Sequence, residues 1–191
     1  MTSMRVFRLS IAALLLTLVL PSVAQDRPDP ALVALLRQAA NEVDSFSDHF
    51  DAQVWLTDMS ARLARQVEDP GERIDILKRV HQEAARAELA PELVLAVIDV
   101  ESNFDKYAIS VAGARGLMQI MPFWLNEIGR PDDNLIHIGT NLRFGCTILK
   151  YYLEMEDGDL KRALGRYNGS LGQRMYPNKV LDKLRLKWYR A

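Results

Sequence analysis

Pro91-Glu92-Leu93-Val94-Leu95-Ala96-Val97-Ile98-Asp99-Val100-Glu101-Ser102 is an apolar run opened by a proline and closed by a carboxylate. Pro91 opens a helix that ends near Ser102. Val94, Val97, Ile98 and Glu101 fall at i, i+3, i+4 and i+7, so they share one helical face. That spacing puts a carboxylate on an apolar stripe, in the last turn, where the helix dipole disfavours an anion. Both effects raise a carboxyl pKa. A glutamate that keeps its proton near neutral pH is what a general acid requires. The alternative is a glutamate at a frayed helix end, pointing to water.

Outward from this helix the same periodicity recurs, with almost no strand alternation. Helices are expected at Ala31 to Val43, at Phe50 to Val67 with Val54, Leu56, Met59 and Leu63 among its apolar positions, and from Asp69-Pro70-Gly71-Glu72 to about Ala87. In the last of these Asp69 caps, Pro70 takes the first helical position and Glu72 has capping-box spacing. Asn103 to Arg115 reads as a loop, followed by a short helix at Phe123 to Ile128. A long helix runs from Ile138 to Met155, with Leu142, Cys146, Leu149 and Leu153 near one face, then another from Leu160 to Tyr167. Pro177 starts the last helix. The fold class is therefore all-α, with strands absent or tiny.

The chain has 191 residues, 49% of them hydrophobic and 26% charged, with 24 basic against 25 acidic side chains and a net charge of −1. That is globular composition without the basic excess of a nucleic-acid binder. One cysteine, Cys146, excludes an internal disulfide framework, and its apolar helical setting suits a buried small hydrophobe. His49, His81 and His137 form no metal-binding pair, and no glycine-rich phosphate loop or other cofactor signature is present. Arg5 and Arg8, the apolar run Ile11 to Leu20, Pro21 and Ser22-Val23-Ala24 have the order of a secretory signal. Cleavage after Ala24 and a periplasmic or otherwise exported product are expected; an uncleaved anchor is the alternative. The expected organisation is a signal over 1–24, a leader over 25–30, a helical extension over 31–70 and the main domain over 71–191. The absence of a long heptad run favours a monomer.

Several motifs occur in order. Glu101-Ser102-Asn103-Phe104 is followed by Ser110, by Gly113-Ala114-Arg115-Gly116-Leu117-Met118-Gln119-Ile120-Met121-Pro122, by Asn141-Leu142-Arg143-Phe144-Gly145-Cys146 and by Arg166-Tyr167-Asn168. Over about Arg73 to Leu184 this resembles the catalytic domain of soluble lytic transglycosylases, which is similar in fold to goose-type lysozyme. The resemblance implies a lysozyme-like helical domain acting on the glycan strands of peptidoglycan without a metal or other cofactor. It makes Glu101 the single catalytic acid and base. Ser110 and the Tyr167 hydroxyl would bond its carboxyl group, Gln119 and Met121 would line the groove, and Asn168 would sit beside the tyrosine, reaching towards a sugar acetamido group. Ser102 would anchor the following loop, and Asn141 would lead its helix.

Ordinary glycosidases use two carboxylates. After Glu101 the next acidic residues are Asp105 and then Glu127, so no convincing second carboxylate is in view. In the reaction implied by the resemblance, Glu101 protonates the glycosidic oxygen and the substrate's acetamido group supports the cationic centre. Glu101 then takes the proton from the C6 hydroxyl that attacks C1, leaving a 1,6-anhydro end. Two readings stand beside it: a hydrolytic muramidase on the same fold, and a glycan-binding protein without activity. Phe123 is expected to pack inside. The basic, aromatic tail Lys179, Lys183, Arg185, Lys187, Trp188, Tyr189, Arg190 reads as a solvated helix face, or as a contact with acidic cell-wall groups or a membrane surface.

Overall fold

The computed structural model describes residues 49–130 and 132–189. The stretches expected to be a secretory signal, a leader and a helix at 31–43 lie outside them. The described residues form α1 (His49–Leu63), α2 (Pro70–Arg86), α3 (Pro91–Glu101), α4 (Trp124–Ile128), α5 (Ile138–Met155), α6 (Leu160–Tyr167) and α7 (Met175–Lys183), closing on a π-helical turn, Leu184–Trp188. Among them, β structure is confined to isolated bridges that join Arg115 to Ile109 and to Ile120. The described residues are all-α, as the periodicity indicates.

Local rules account for most of the boundaries. Asp69 caps α2, accepting the Glu72 N–H at 2.6 Å, and Pro70 sits where a missing N–H costs nothing. Asp159 caps α6 through the Arg162 N–H at 3.1 Å. The last helix starts two residues before Pro177, because the first turn has no intrahelical N–H bond for a proline to break.

Helix α3 is the centre of the domain. Leu93 through Asp99 are all buried, not one stripe alone, as α2, α7 and the π turn pack around it. An apolar surface on every side marks a core helix. Helix α1 adds Ala52, Leu56, Met59 and Leu63 to the same core, while Val54 faces out. Helix α5 supplies Leu142, Phe144, Cys146 and Leu149. Cys146 is fully buried, and burial pushes its thiol up to about 12, so it stays a protonated small hydrophobe.

Part of the tail is a solvated face, with Lys179, Arg185 and Tyr189 exposed, but Trp188 is not on it. Trp188 is 0% exposed and packs 5.4 Å from the Phe104 ring. Its indole donates to Asp99 at 3.1 Å, and Lys183 and Lys187 reach the same carboxylate at 2.7 and 2.9 Å. Burial alone would push the Asp99 carboxyl up, but the two lysines outweigh it and hold it below its usual range. Asp99 thus fastens α7 and the π turn to α3.

Candidate active site

The chain emerging from α3 is folded by its own polar groups. Ser102 Oγ donates to the Leu117 carbonyl at 2.8 Å, anchoring the loop as expected. Asn141 lies one turn inside α5, where its amide is fully used. It accepts the Met118 N–H and donates to the Arg115 and Leu135 carbonyls, each at 2.8 Å. His137 takes the N-cap position without a side-chain bond, and Asn141, in the first turn, clamps the loop in front of the helix. Gly116 has φ of 73°, and a Cβ there would meet the Asn141 amide and the Leu135 carbonyl at 2.5 Å, so only glycine fits. The loop from Gly113 to Ile120 is thereby held against α5 and, through Tyr167, against α6.

Glu101 ends α3 half-buried, in a cleft of about 290 Å³ that it shares with Asn168, Ser170, Gln173, Tyr176 and Lys179. Burial pushes its carboxyl above the usual carboxylate range; the Tyr176 hydroxyl, donating at 2.5 Å, and the Asn168 side chain pull it part of the way back. The result is a carboxyl group that holds its proton more tightly than an ordinary glutamate yet has a donor ready when it ionises. Tyr176 keeps its own proton, because burial and the Glu101 charge raise its phenol well above the ordinary range. Glu101 is the single carboxylate lining this cleft. Asp105 accepts the Tyr107 N–H at 2.8 Å in its own exposed turn, and Asp99 is consumed by its cations.

Residues 79–183, more than half of the chain, match the Transglycosylase SLT domain family. The chain belongs to that family. It is 32% identical over 110 residues to the Transglycosylase of Enterobacteria phage PRD1, covering 54% of this chain and 40% of that protein. Over 46 residues it is 46% identical to Membrane-bound lytic murein transglycosylase C of Actinobacillus pleuropneumoniae serotype 5b, covering 24% of this chain and 13% of that one. A solved structure, an inactive mutant of the lytic transglycosylase Slt from Pseudomonas aeruginosa, superposes with a TM-score of 0.45 at 22% identity, covering 85% of this chain and 32% of that one. The chain spans less than half the length of each of these proteins.

Within this SLT domain the expected side chains take different partners. Tyr167 does not bond the Glu101 carboxyl: from the end of α6 its half-buried ring directs the hydroxyl to the Met118 carbonyl, donating at 2.8 Å. Ser110 also turns away; its Oγ accepts the Ala114 N–H at 3.0 Å and closes its own loop. Gln119 donates to the Gly116 and Ala108 carbonyls at 2.9 and 3.2 Å, bracing the same loop from a left-handed backbone. Met121 is half-buried beside that loop, while Phe123 is 52% exposed and stacks on Trp124 instead of entering the core. Asn168 caps α6 and is the one of these that shares the cleft with Glu101.

Sequence reading missed Tyr176. A signal for it exists: Tyr176 and Val180 fall at i and i+4 of the last helix, and a phenol on a buried face needs a hydrogen-bond partner. It also missed Ser170, whose Oγ is buried at the cleft with no partner among the described residues. A ligand group placed there would satisfy it.

Proposed function

We propose that the protein is a peptidoglycan lytic transglycosylase, cleaving the bond between N-acetylmuramic acid and N-acetylglucosamine. The observation that carries this reading is Glu101: one carboxyl group, raised by burial, alone in its cleft and bonded by Tyr176. A single acid that must both give and take a proton suits the exception to two-carboxylate glycosidases. Glu101 protonates the leaving oxygen, and charge develops on its carboxylate as the bond breaks. The Tyr176 hydroxyl and Asn168 amide stabilise that charge as it forms, where such donors act most strongly. The carboxylate then accepts the proton of the C6 hydroxyl as its oxygen closes on C1, which returns Glu101 to its starting state without net addition of water.

Ser110, Gln119 and Tyr167 support this site at one remove, by shaping the loop in front of Glu101, and Met121 and Asn168 line the sugar path. The protein acts as an exported monomer whose N-terminal 24 residues are removed, and its basic C-terminal end faces the cell wall. The deciding experiment is mass spectrometry of purified peptidoglycan after incubation with the protein. Products one water lighter than hydrolytic muropeptides establish the activity. Hydrated ends would assign a muramidase, and unchanged peptidoglycan would assign a binding protein.

A further inference from the structure

We propose that a cationic groove beside the cleft binds the free carboxylates of the peptide stems carried by the glycan strand; the identity of the strand rests on the function proposed above. The groove, about 920 Å³, is lined by Arg62, Arg65, Lys183, Arg185, Lys187 and Asn103, among others. It shares no lining residue with the catalytic cleft, but two elements run from one to the other. Tyr176 and Lys179 in the cleft and Lys183 in the groove fall at i, i+3 and i+7 of α7, one face of one helix, spanning about 10 Å along its axis. Asn103 lies two residues past Glu101. Its φ of 51° and that of Phe104, 67°, fold the chain sharply here, and Gln66 donates to the Asn103 amide oxygen at 2.8 Å.

The charge in the groove is surplus. Asp58 pairs with Arg62 and Asp182 with Arg185. Asp99, wholly buried beneath the groove, is shared by Lys183 and Lys187, and Arg65 has no ion pair among the described residues. Burial and the charge of Lys183 hold the Lys187 ammonium below its usual range, even with Asp99 beside it. On a chain of net charge −1 this surplus is local. Arg62 Nη1 also donates to the Lys187 carbonyl at 2.5 Å, and Gln66 bonds the Lys187 ammonium, so the wall is held in place before any ligand arrives. Carboxylates, which only accept hydrogen bonds when ionised, are the complement to such a wall.

The test uses the Glu101→Gln protein, so that binding is read without cleavage. One probe is purified peptidoglycan with its stems; the other is the same glycan after an amidase has removed them. Sedimentation at low salt should show about three- to tenfold tighter binding to the stem-bearing strands, the scale of two partly exposed charge contacts. Arg65→Glu with Arg185→Glu should abolish this preference at an unchanged melting temperature, and Arg65→Lys with Arg185→Lys should restore it. Equal binding to both probes, or a preference that survives charge reversal, overturns the proposal. Anionic lipid vesicles form a further probe. If charge reversal removes vesicle binding and leaves the stem preference intact, the groove serves a phosphate-bearing surface and the proposal is again overturned. Turnover enters none of these readouts, so failure to produce anhydro ends would refute the proposed reaction separately.

Discussion

Replacing Tyr176 by phenylalanine tests how the acid is held. The substitution removes one oxygen and leaves the ring, which packs in the core, in place. What disappears is the 2.5 Å bond to the Glu101 carboxyl. A hydrogen bond to a charged group contributes about 1.5–3 kcal/mol, and each 1.36 kcal/mol of barrier is tenfold in rate. The expected fall in turnover is therefore about tenfold to 150-fold. The sign of the pH effect follows from the same bond. It favours the ionised carboxyl, so losing it moves the Glu101 pKa further up. The acid form is the one that begins the reaction, so the alkaline limb of kcat/KM shifts to higher pH while the rate at the plateau falls. Tyr167→Phe is the control, since its hydroxyl serves the Met118 carbonyl. It should cost about 0.5–1.5 kcal/mol of stability and leave the alkaline limb where it was. The assay is release of anhydro-ended muropeptides across pH, with a melting curve for each variant. A well-folded Tyr176→Phe protein with turnover within twofold of the parent and an unmoved alkaline limb would refute the assignment, as would a limb that moves in Tyr167→Phe instead.

Other expectations follow from the same contacts. Glu101→Gln should lower product release by at least about 10²-fold and leave the melting temperature equal or higher, because the fold no longer carries a carboxyl that burial disfavours when charged; retained activity above a tenth of the parent would remove Glu101 from its role. Asp99→Asn should cost about 1–3 kcal/mol, reduced by the partial exposure of Lys183 and Lys187, and lower the melting temperature by about 2–10 °C. Because the folded Asp99 carboxyl is held low, its stabilisation is complete above the unfolded value of about 3.9 and fades as pH falls towards the folded one; acid unfolding of the parent and variant should therefore converge at low pH. Gly145→Ala should destabilise by about 1–3 kcal/mol, since the new Cβ would lie 2.8 Å from Met118 Cβ, and a neutral melting curve would contradict that packing. N-terminal sequencing of exported protein should begin at Gln25; an intact Met1 in a membrane pellet would favour the anchor.

Helices and caps were legible in the sequence because each depends on neighbours within a few residues, and the motifs that follow Glu101 made it the candidate acid. Asp69 meets Glu72 three positions on, and Glu101 follows its apolar partners by the helical repeat. The loop residues Ser110 and Gln119 belong to the motifs around Glu101, but their hydrogen bonds run within the loop, a choice that residue types leave open. The crossing of α3 with α7 was decided only in three dimensions. It brings Tyr176 to a carboxylate 75 positions away and places Lys183 and Lys187 on Asp99. Periodicity reports which face of each helix is apolar and is silent on which helix will cover it. The partner of Glu101, the burial of Trp188 and the cationic groove were therefore settled by the packing of α3, α7 and the π turn around one core, where buried polar atoms had to find each other or remain unpaired.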